Sequence, residues 1–318
     1  MTSTVLAPLA GFTDAPFRRL CREGGADLVY TEMVSAAGLA HGSVPTRQLL
    51  ETMDGEGPVA CQLFGADERD VAAAAGLIQR TCRASFRELN LNAGCPMTKV
   101  TRSGAGAKLI ERPERIGRLL RAMKENTDLP VTLKTRLGPR PGENVVFEII
   151  DAAEQAGAAG IVVHARYTSQ MHGGKVGLET LAEAVRRAKI PVTGNGSVTD
   201  AASAAAMEAT GVAAVMVGRA ALKEPGVFRR LKTGAAAVPP DVTRAKELCR
   251  LHIDYMLQFR EQLAARFPDA RVPDAATWVV MKMRTHLLRY FGGCPGAAAL
   301  RGRIGSVRTL KDAMALII

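Results

Sequence analysis

No apolar run in the chain approaches the ~18 residues that a membrane-spanning helix needs, and Met1 to Gly11 lacks the basic start and long apolar stretch of a secretory signal. A cytoplasmic protein is expected. Cysteine is sparse and scattered: Cys21, Cys61, Cys82, Cys95, Cys249 and Cys294 form no CxxC pair, and no His/Cys cluster stands at metal-ligand spacing. Neither a disulfide framework nor a metal site is indicated. The first apolar run is not followed by GxGxxG but by Ala10-Gly11-Phe12-Thr13-Asp14, and low-complexity tails are missing. Acidic residues are in deficit, with 31 Asp+Glu against 42 Lys+Arg for a net charge of +11. Such an excess suggests an anionic partner, but a generally basic surface gives the same total, so its distribution has to decide.

What is present is the composition of a globular protein, 47% hydrophobic and 23% charged, in 318 residues, enough for one large domain or two. From Thr4 to about Leu222 short β-rich runs alternate with longer amphipathic stretches. Eight strands are predicted at Thr4–Leu9, Asp27–Thr31, Val59–Phe64, Phe86–Leu91, Val131–Arg136, Gly160–His164, Pro191–Thr193 and Ala213–Val217. Helices are predicted between them at Glu68–Cys82, Pro113–Asn126, Val145–Gln155, Leu178–Ala188 and Asp200–Ala209. Eight βα units in this length fit an α/β fold of the (β/α)8 TIM-barrel type, whereas a doubly wound sheet would usually carry a glycine-rich phosphate loop after its first strand.

After Leu222 the β runs stop. The Gly234–Pro240 stretch reads as a linker, which divides the chain into a barrel at 1–235 and a small helical domain at 240–318. Helices are expected there at Thr243–Gln262, Ala275–Phe291, Gly296–Gly302 and Val307–Ile317. The charge divides unevenly, because residues 236–318 hold 13 basic and 7 acidic residues. Arg271 to Lys311 alone holds Arg271, Lys282, Arg284, Arg289, Arg301, Arg303, Arg308 and Lys311 against the single acid Asp274. A solvated helical face normally interleaves acids, so this distribution favours a phosphate backbone as partner.

In a barrel of this type the chemistry gathers at the C-terminal ends of the strands. Those ends are polar here: Gln62, Asn92, Lys134 and Arg136, His164 and Arg166, Asn195-Gly196-Ser197, and Gly218-Arg219. The glycines and Arg219 after the last two strands stand where such barrels bind phosphate, the glycines allowing backbone N–H groups to approach its oxygens. Cys95 lies in a Gly-Cys-Pro turn beyond the fourth predicted strand, aimed by its neighbours, and its thiol suits a nucleophile or a general acid. No carboxylate pair or Ser/His/Asp set competes for the mouth, so a cofactor is expected to carry the hard chemistry. A phosphate site with Lys134, His164 and Gln62 beside it is what flavin mononucleotide (FMN) needs.

The residues resemble the tRNA-dihydrouridine synthase family, most closely its DusB-like bacterial branch. The resemblance rests on Ala7-Pro8-Leu9-Ala10-Gly11-Phe12-Thr13-Asp14, Leu91-Asn92-Ala93-Gly94-Cys95-Pro96, Val131–Arg136, Val163-His164-Ala165-Arg166, Gly194-Asn195-Gly196, Met216–Arg219, and Met283-Arg284-Thr285-His286 with Tyr290. It implies an FMN enzyme, reduced by NADPH, that converts tRNA uridines to 5,6-dihydrouridine, with hydride delivered to C6 and a proton from Cys95 to C5. It further implies that Pro8, Leu9 and Ala10 line the flavin ring and that Gln62, Lys134 and His164 meet its polar edge. Asn195, Gly196, Ser197, Gly218 and Arg219 are then expected to hold the phosphate. Asn92, Lys99, Arg102, Arg136 and Arg166, with Lys282 and Arg284 of the basic helices, are assigned to the RNA, and a monomer is expected. The chain departs from the family pattern at Pro139, at Gly174–Leu178 and at Thr285, which leaves rRNA open as a substrate. Two further readings stay open: a barrel flavoenzyme acting on a small pyrimidine, and a nonenzymatic RNA-binding protein.

Overall fold

The computed structural model describes residues 2–237, 239–270 and 273–317; Arg271, which belongs to the basic run, lies outside them. Among the described residues nine parallel strands are present: β1 (Ser3–Leu6), β2 (Leu28–Tyr30), β3 (Val34–Ser35), β4 (Val59–Phe64), β5 (Glu88–Ala93), β6 (Val131–Arg136), β7 (Gly160–His164), β8 (Val192–Asn195) and β9 (Ala214–Val217). β1 pairs with both β2 and β9, β2 also pairs with β4, and the ladder continues in order from β4 to β9. The sheet therefore closes through eight strands as a TIM barrel, as the sequence implied. β3 is an addition that pairs only with β4, and its two residues are too few to show a period in the sequence.

Most strands are apolar on both faces, as parallel strands covered by helices must be. Every residue of β7, Gly-Ile-Val-Val-His, is buried. β5 is different: Glu-Leu-Asn-Leu-Asn-Ala alternates strictly, which turns Glu88, Asn90 and Asn92 to one face and Leu89, Leu91 and Ala93 to the other. β5 also starts two residues later than predicted, because a 3-10 turn at Arg83–Ser85 takes Phe86 as its cap. β8 runs through Asn195 instead of ending at Thr193, and β1 stops at Leu6. The chain then folds into a tight turn in which the Leu9 carbonyl accepts from the amides of Phe12 and Thr13, both at 3.0 Å.

The outer layer comprises α1 (Ala15–Glu23), α2 (Ala36–Ala40), α3 (Val44–Gln48), α4 (Glu68–Thr81), α5 (Thr98–Thr101), α6 (Pro113–Lys124), α7 (Val146–Gln155), α8 (Leu178–Arg187), α9 (Ala201–Glu208), α10 (Arg219–Lys223) and α11 (Val227–Thr233). Aspartates start several of them: Asp14, Asp67 and Asp200 each accept a first-turn amide through the side chain. Four helices follow, α12 (Val242–Arg266), α13 (Ala275–Tyr290), α14 (Ala297–Ser306) and α15 (Leu310–Ile317), with Asp241 and Asp274 capping the first two.

One apolar cluster runs unbroken from Phe17, Cys21 and Phe228 on the barrel side to Cys249, Ile253, Met256 and Leu287 of α12 and α13. At this seam Tyr290 Oη lies 2.9 Å from His252 Nδ1, and the His286 ring packs 4.5 Å from His252 and 5.0 Å from Phe17. The helices are thereby fixed over the β1–β2 side of the mouth. Among the described residues no helix is long and apolar enough to cross a membrane.

Candidate active site

A chain of hydrogen bonds rises through the barrel to its mouth. Tyr30 Oη and Thr132 Oγ1 both donate to Glu88 Oε1, at 2.5 and 2.9 Å. Asn90 Nδ2 donates to Thr132 Oγ1, Gln62 Nε2 to Asn90 Oδ1, and Asn92 Nδ2 to Gln62 Oε1, each at 2.8 Å. Burial pushes the Glu88 carboxyl above its usual range, with the bonds from Tyr30 and Thr132 opposing it. Because each amide has one donor end and one acceptor end, the series fixes the orientation of the last one. Asn92 Oδ1 must face the turn beyond β5, where it accepts from the amides of Gly94 at 3.1 Å and Cys95 at 3.0 Å.

That turn is held from every side. The Gly94 carbonyl accepts from Arg136 Nε at 2.7 Å, and the Cys95 carbonyl from the Ala107 amide at 2.9 Å. Gly106, at φ +60°, lets the loop close, since a Cβ there would stand 2.6 Å from the Cys95 carbonyl oxygen. The Cys95 thiol is half-buried. Desolvation pushes its pKa above the ordinary thiol value, outweighing the Met97 amide, Arg136 and Lys134, which pull it down. It is therefore a thiol, not a thiolate, at neutral pH. Cys21, Cys61 and Cys249 are fully buried, their thiols pushed up by the same desolvation.

Opposite the thiol, β6 to β9 build a cationic wall. Lys134 Nζ donates to Asn195 Oδ1 at 3.0 Å, and Asn195 Nδ2 donates to the Met216 carbonyl at 2.8 Å. Arg166 Nη2 donates to Ser197 Oγ at 2.6 Å and to the Gly174 carbonyl at 2.9 Å, while its Nη1 lies 3.3 Å from His164 Nε2. Arg219, exposed at the start of α10, reaches the His172 carbonyl at 3.2 Å. Burial and then Arg136 push Lys134 down to about 7; burial chiefly brings Arg136 down to about 10. Burial, followed by Lys134, Arg136 and Arg166, drives His164 far below the usual histidine range, so its imidazole is neutral. Among the described residues none of Lys134, Arg136, Arg166 and Arg219 forms an ion pair with a carboxylate, so the wall is a candidate anion site.

Its shape suits a phosphate. Gly196, at φ +133°, packs so closely that a Cβ would stand 2.9 Å from Val176 Cγ1 and 3.2 Å from His164 Cδ2. Ser197 follows at φ +56°, a left-handed conformation uncommon for a residue with a side chain. Gly218 faces Ala7 and Leu9, which brings the Pro8-Leu9-Ala10 turn alongside the cradle.

The residues assigned to RNA fall into two groups. Asn92, Arg136 and Arg166 are each 5% exposed or less and are engaged within the protein: Arg136 also donates to the carbonyls of Tyr167 at 3.2 Å and Met171 at 2.9 Å. They shape the mouth. Lys99, Arg102 and Arg284 are exposed, the first on α5 just beyond Cys95, the second at the end of that helix and the third on α13. Lys282 belongs to neither group, since its ammonium points into the seam between Asp14 and Glu32, at 3.9 and 3.8 Å. The interior chain through Tyr30, Glu88, Asn90 and Thr132 lies outside the sequence motifs, although the alternation in β5 carries its signal.

The closed eight-stranded barrel, with Cys95 and the cations of β6 to β9 at its mouth, is that of a TIM-barrel enzyme. The chain belongs to the dihydrouridine synthase family, whose model matches residues 5–316. It is 33% identical over 254 residues to tRNA-dihydrouridine synthase B of Klebsiella pneumoniae, covering 78% of either chain. It is 30% identical over 318 residues to the probable tRNA-dihydrouridine synthase 1 of Synechocystis, covering 98% of this chain and 84% of that one. Among solved structures its fold is similar to morphinone reductase, at TM-score 0.54 and 16% identity over 75% of this chain and 87% of the other.

Proposed function

We propose that the protein reduces uridines of tRNA to 5,6-dihydrouridine in the cytoplasm, as a monomer, with FMN in the barrel mouth and NADPH as reductant. The observation that carries this reading is an uncompensated cationic cradle facing a thiol that is aimed by Asn92 and kept protonated by burial. The names of the relatives support the substrate.

The residues fit the flavin. Asn195, Gly196, Ser197, Gly218 and Arg219 would hold its phosphate, Pro8, Leu9 and Ala10 would line the ring, and Lys134, His164 and Gln62 would meet the polar edge. Neutral His164, whose Nε2 accepts from Arg166 Nη1 at 3.3 Å, presents its Nδ1–H as a donor, and Gln62, bonded once at each end, keeps one N–H and one lone pair free. The reduced flavin supplies the hydride that C6 of uracil receives.

Cys95 supplies the other half of the reduction. Its S–H bond breaks, the proton passes to C5 as the C5–C6 double bond is lost, and the thiolate left behind faces Lys134 and Arg136, which favour its charge. Solvent restores the proton. A uridine within folded RNA cannot reach this depth, so it must be swung out of its stack, with exposed Lys99, Arg102 and Arg284 taking phosphates. In this division of labour residues 1–235 do the chemistry and residues 240–318 hold the RNA.

The test is to incubate the flavin-loaded protein and NADPH with tRNA from cells that lack dihydrouridine, and to quantify the nucleoside after digestion. Dihydrouridine at defined positions is expected. Reduction of free uracil or orotate with no effect on tRNA would overturn the reading.

A further inference from the structure

The turn beyond β1 takes its shape from its own bonds and its place from bonds to other elements. Besides the Leu9 carbonyl, which accepts from the Phe12 and Thr13 amides, the Leu9 amide donates to Thr13 Oγ1 at 3.1 Å. Outward, the Gly11 amide at the tip donates to Glu32 Oε2, and the Thr13 carbonyl at the far end accepts from Arg18 Nη1 at 2.9 Å. Gly11 is exposed at φ +78°, with no atom within 4 Å of where a Cβ would stand, so packing does not hold the tip. The bond to Glu32 is what holds it.

Glu32 is held in turn from the C-terminal helices. Its other oxygen, Oε1, lies 3.8 Å from Lys282 Nζ, and Asp14 Oδ2 lies 3.9 Å from the same ammonium. Burial raises the pKa of both carboxyls; Lys282 is the foremost group opposing it, ahead of Arg18, whose guanidinium is committed to Glu56. A hydrogen bond to an ionised acceptor is about twice as strong as one between neutral groups, so the ammonium that keeps Glu32 charged also strengthens its hold on Gly11. One helical turn further along α13, the His286 ring meets the Phe12 ring edge-on at 5.4 Å. Lys282 and His286 thus set α13 against the turn at two points, while Arg284 between them is exposed.

We infer that Lys282 is a positioning residue: through Glu32 and the Gly11 amide it holds the Pro8-Leu9-Ala10 turn in place to line the flavin ring. The helix that offers cations to RNA on one side then fixes a wall of the cofactor site on the other. The inference rests on the flavin reading above. Without the ammonium, Glu32 is left buried and unpaired; it takes up a proton or turns to water, and in either case Gly11 loses an ionised acceptor. Glutamine at this position needs no counterion and still offers the Gly11 amide an acceptor.

Four full-length proteins test this: wild type, Lys282→Met, Lys282→Arg and the pair Lys282→Met with Glu32→Gln. Hydrogen–deuterium exchange over residues 9–13 is followed in the flavin-free proteins. It is expected to quicken about tenfold in Lys282→Met and to stay within about threefold of wild type in the other two. FMN affinity, read from flavin fluorescence, should follow the same order, about tenfold weaker in Lys282→Met, with the visible absorption of the bound flavin shifted. At saturating FMN, Lys282→Met should lower kcat on tRNA severalfold and leave KM unchanged. Unchanged exchange and FMN affinity in Lys282→Met would overturn the inference, and so would a raised KM with normal flavin binding, which would make Lys282 an RNA contact. A paired variant as impaired as Lys282→Met would also overturn it. Should Lys282→Met fail to fold by circular dichroism, the paired variant decides by the same limits. Absence of FMN binding by wild type would remove the flavin reading alone, because the exchange measurement needs no flavin.

Discussion

Cys95 and Lys134 share one mouth and are shifted in opposite directions by the same burial. For a general acid the consequence is direct: the active form is the thiol, and it is lost only as pH rises through its raised pKa. Dihydrouridine formation at saturating NADPH should therefore stay level through neutral pH and fall only above pH 9, the ordinary thiol value from which burial lifts Cys95. A rate that declines between pH 7 and 8 would contradict this. Lys134 works the other way. Its folded pKa, about 7, lies below the unfolded value of 10.5, so burying its charge opposes folding in full below pH 7, and the cost shrinks as pH rises from 7 and is gone only above 10.5. An anion in the cradle pairs with the ammonium only where the folded protein keeps it charged, below about pH 7. Inorganic phosphate should raise the Tm of the apoprotein more at pH 6.5 than at pH 8.5, and Lys134→Met should remove the difference.

At the scale of elements, the site depends on how β5 and β8 end. β5 delivers the amide chain that fixes Asn92 and through it the thiol, whereas β8 delivers Asn195 and then breaks its own geometry at Gly196 and Ser197. A side chain at Gly196 meets Val176 and His164 and also has to adopt φ +133°. Gly196→Val should leave the barrel folded by circular dichroism but strip FMN from the purified protein, which absorbance at flavin wavelengths checks. Much of this was legible in the sequence. The order of strands, the Asn-x-Gly-Cys-Pro turn, the Gly-Asn-Gly end of β8 and the Gly-Arg end of β9 all appeared as local patterns, because each depends on residues close together in the chain. The seam between barrel and α13 did not. Lys282 read as one more phosphate-facing cation because Asp14 and Glu32, its actual neighbours, are more than 240 positions away. Arg136 and Arg166 were also legible at their strand ends, whereas their bonds to the Met171 and Gly174 carbonyls were not, because these depend on how the loop after β7 folds.

For the molecule as a whole, the basic excess is densest over the C-terminal helices. Residues 236–318 carry an excess of six basic residues, and Arg284, Arg289, Arg301, Arg303, Arg308 and Lys311 are exposed on α13 to α15 or the turns between them. RNA affinity should consequently fall steeply with salt, while reduction of the flavin by NADPH should change little. Arg284→Glu combined with Arg303→Glu is expected to raise KM for tRNA about tenfold or more and to leave kcat and flavin content near wild type. An unchanged KM would move the RNA off these helices.

The most direct measurement compares wild type with Cys95→Ala, both loaded with FMN to the same extent, by the rate at which dihydrouridine appears in tRNA. Loss of a positioned general acid should slow product formation by about 10²–10⁴-fold while the protein stays yellow and NADPH still reduces it. Dihydrouridine formed by the alanine variant at the wild-type rate would contradict the role of Cys95 and of the amide chain that aims it.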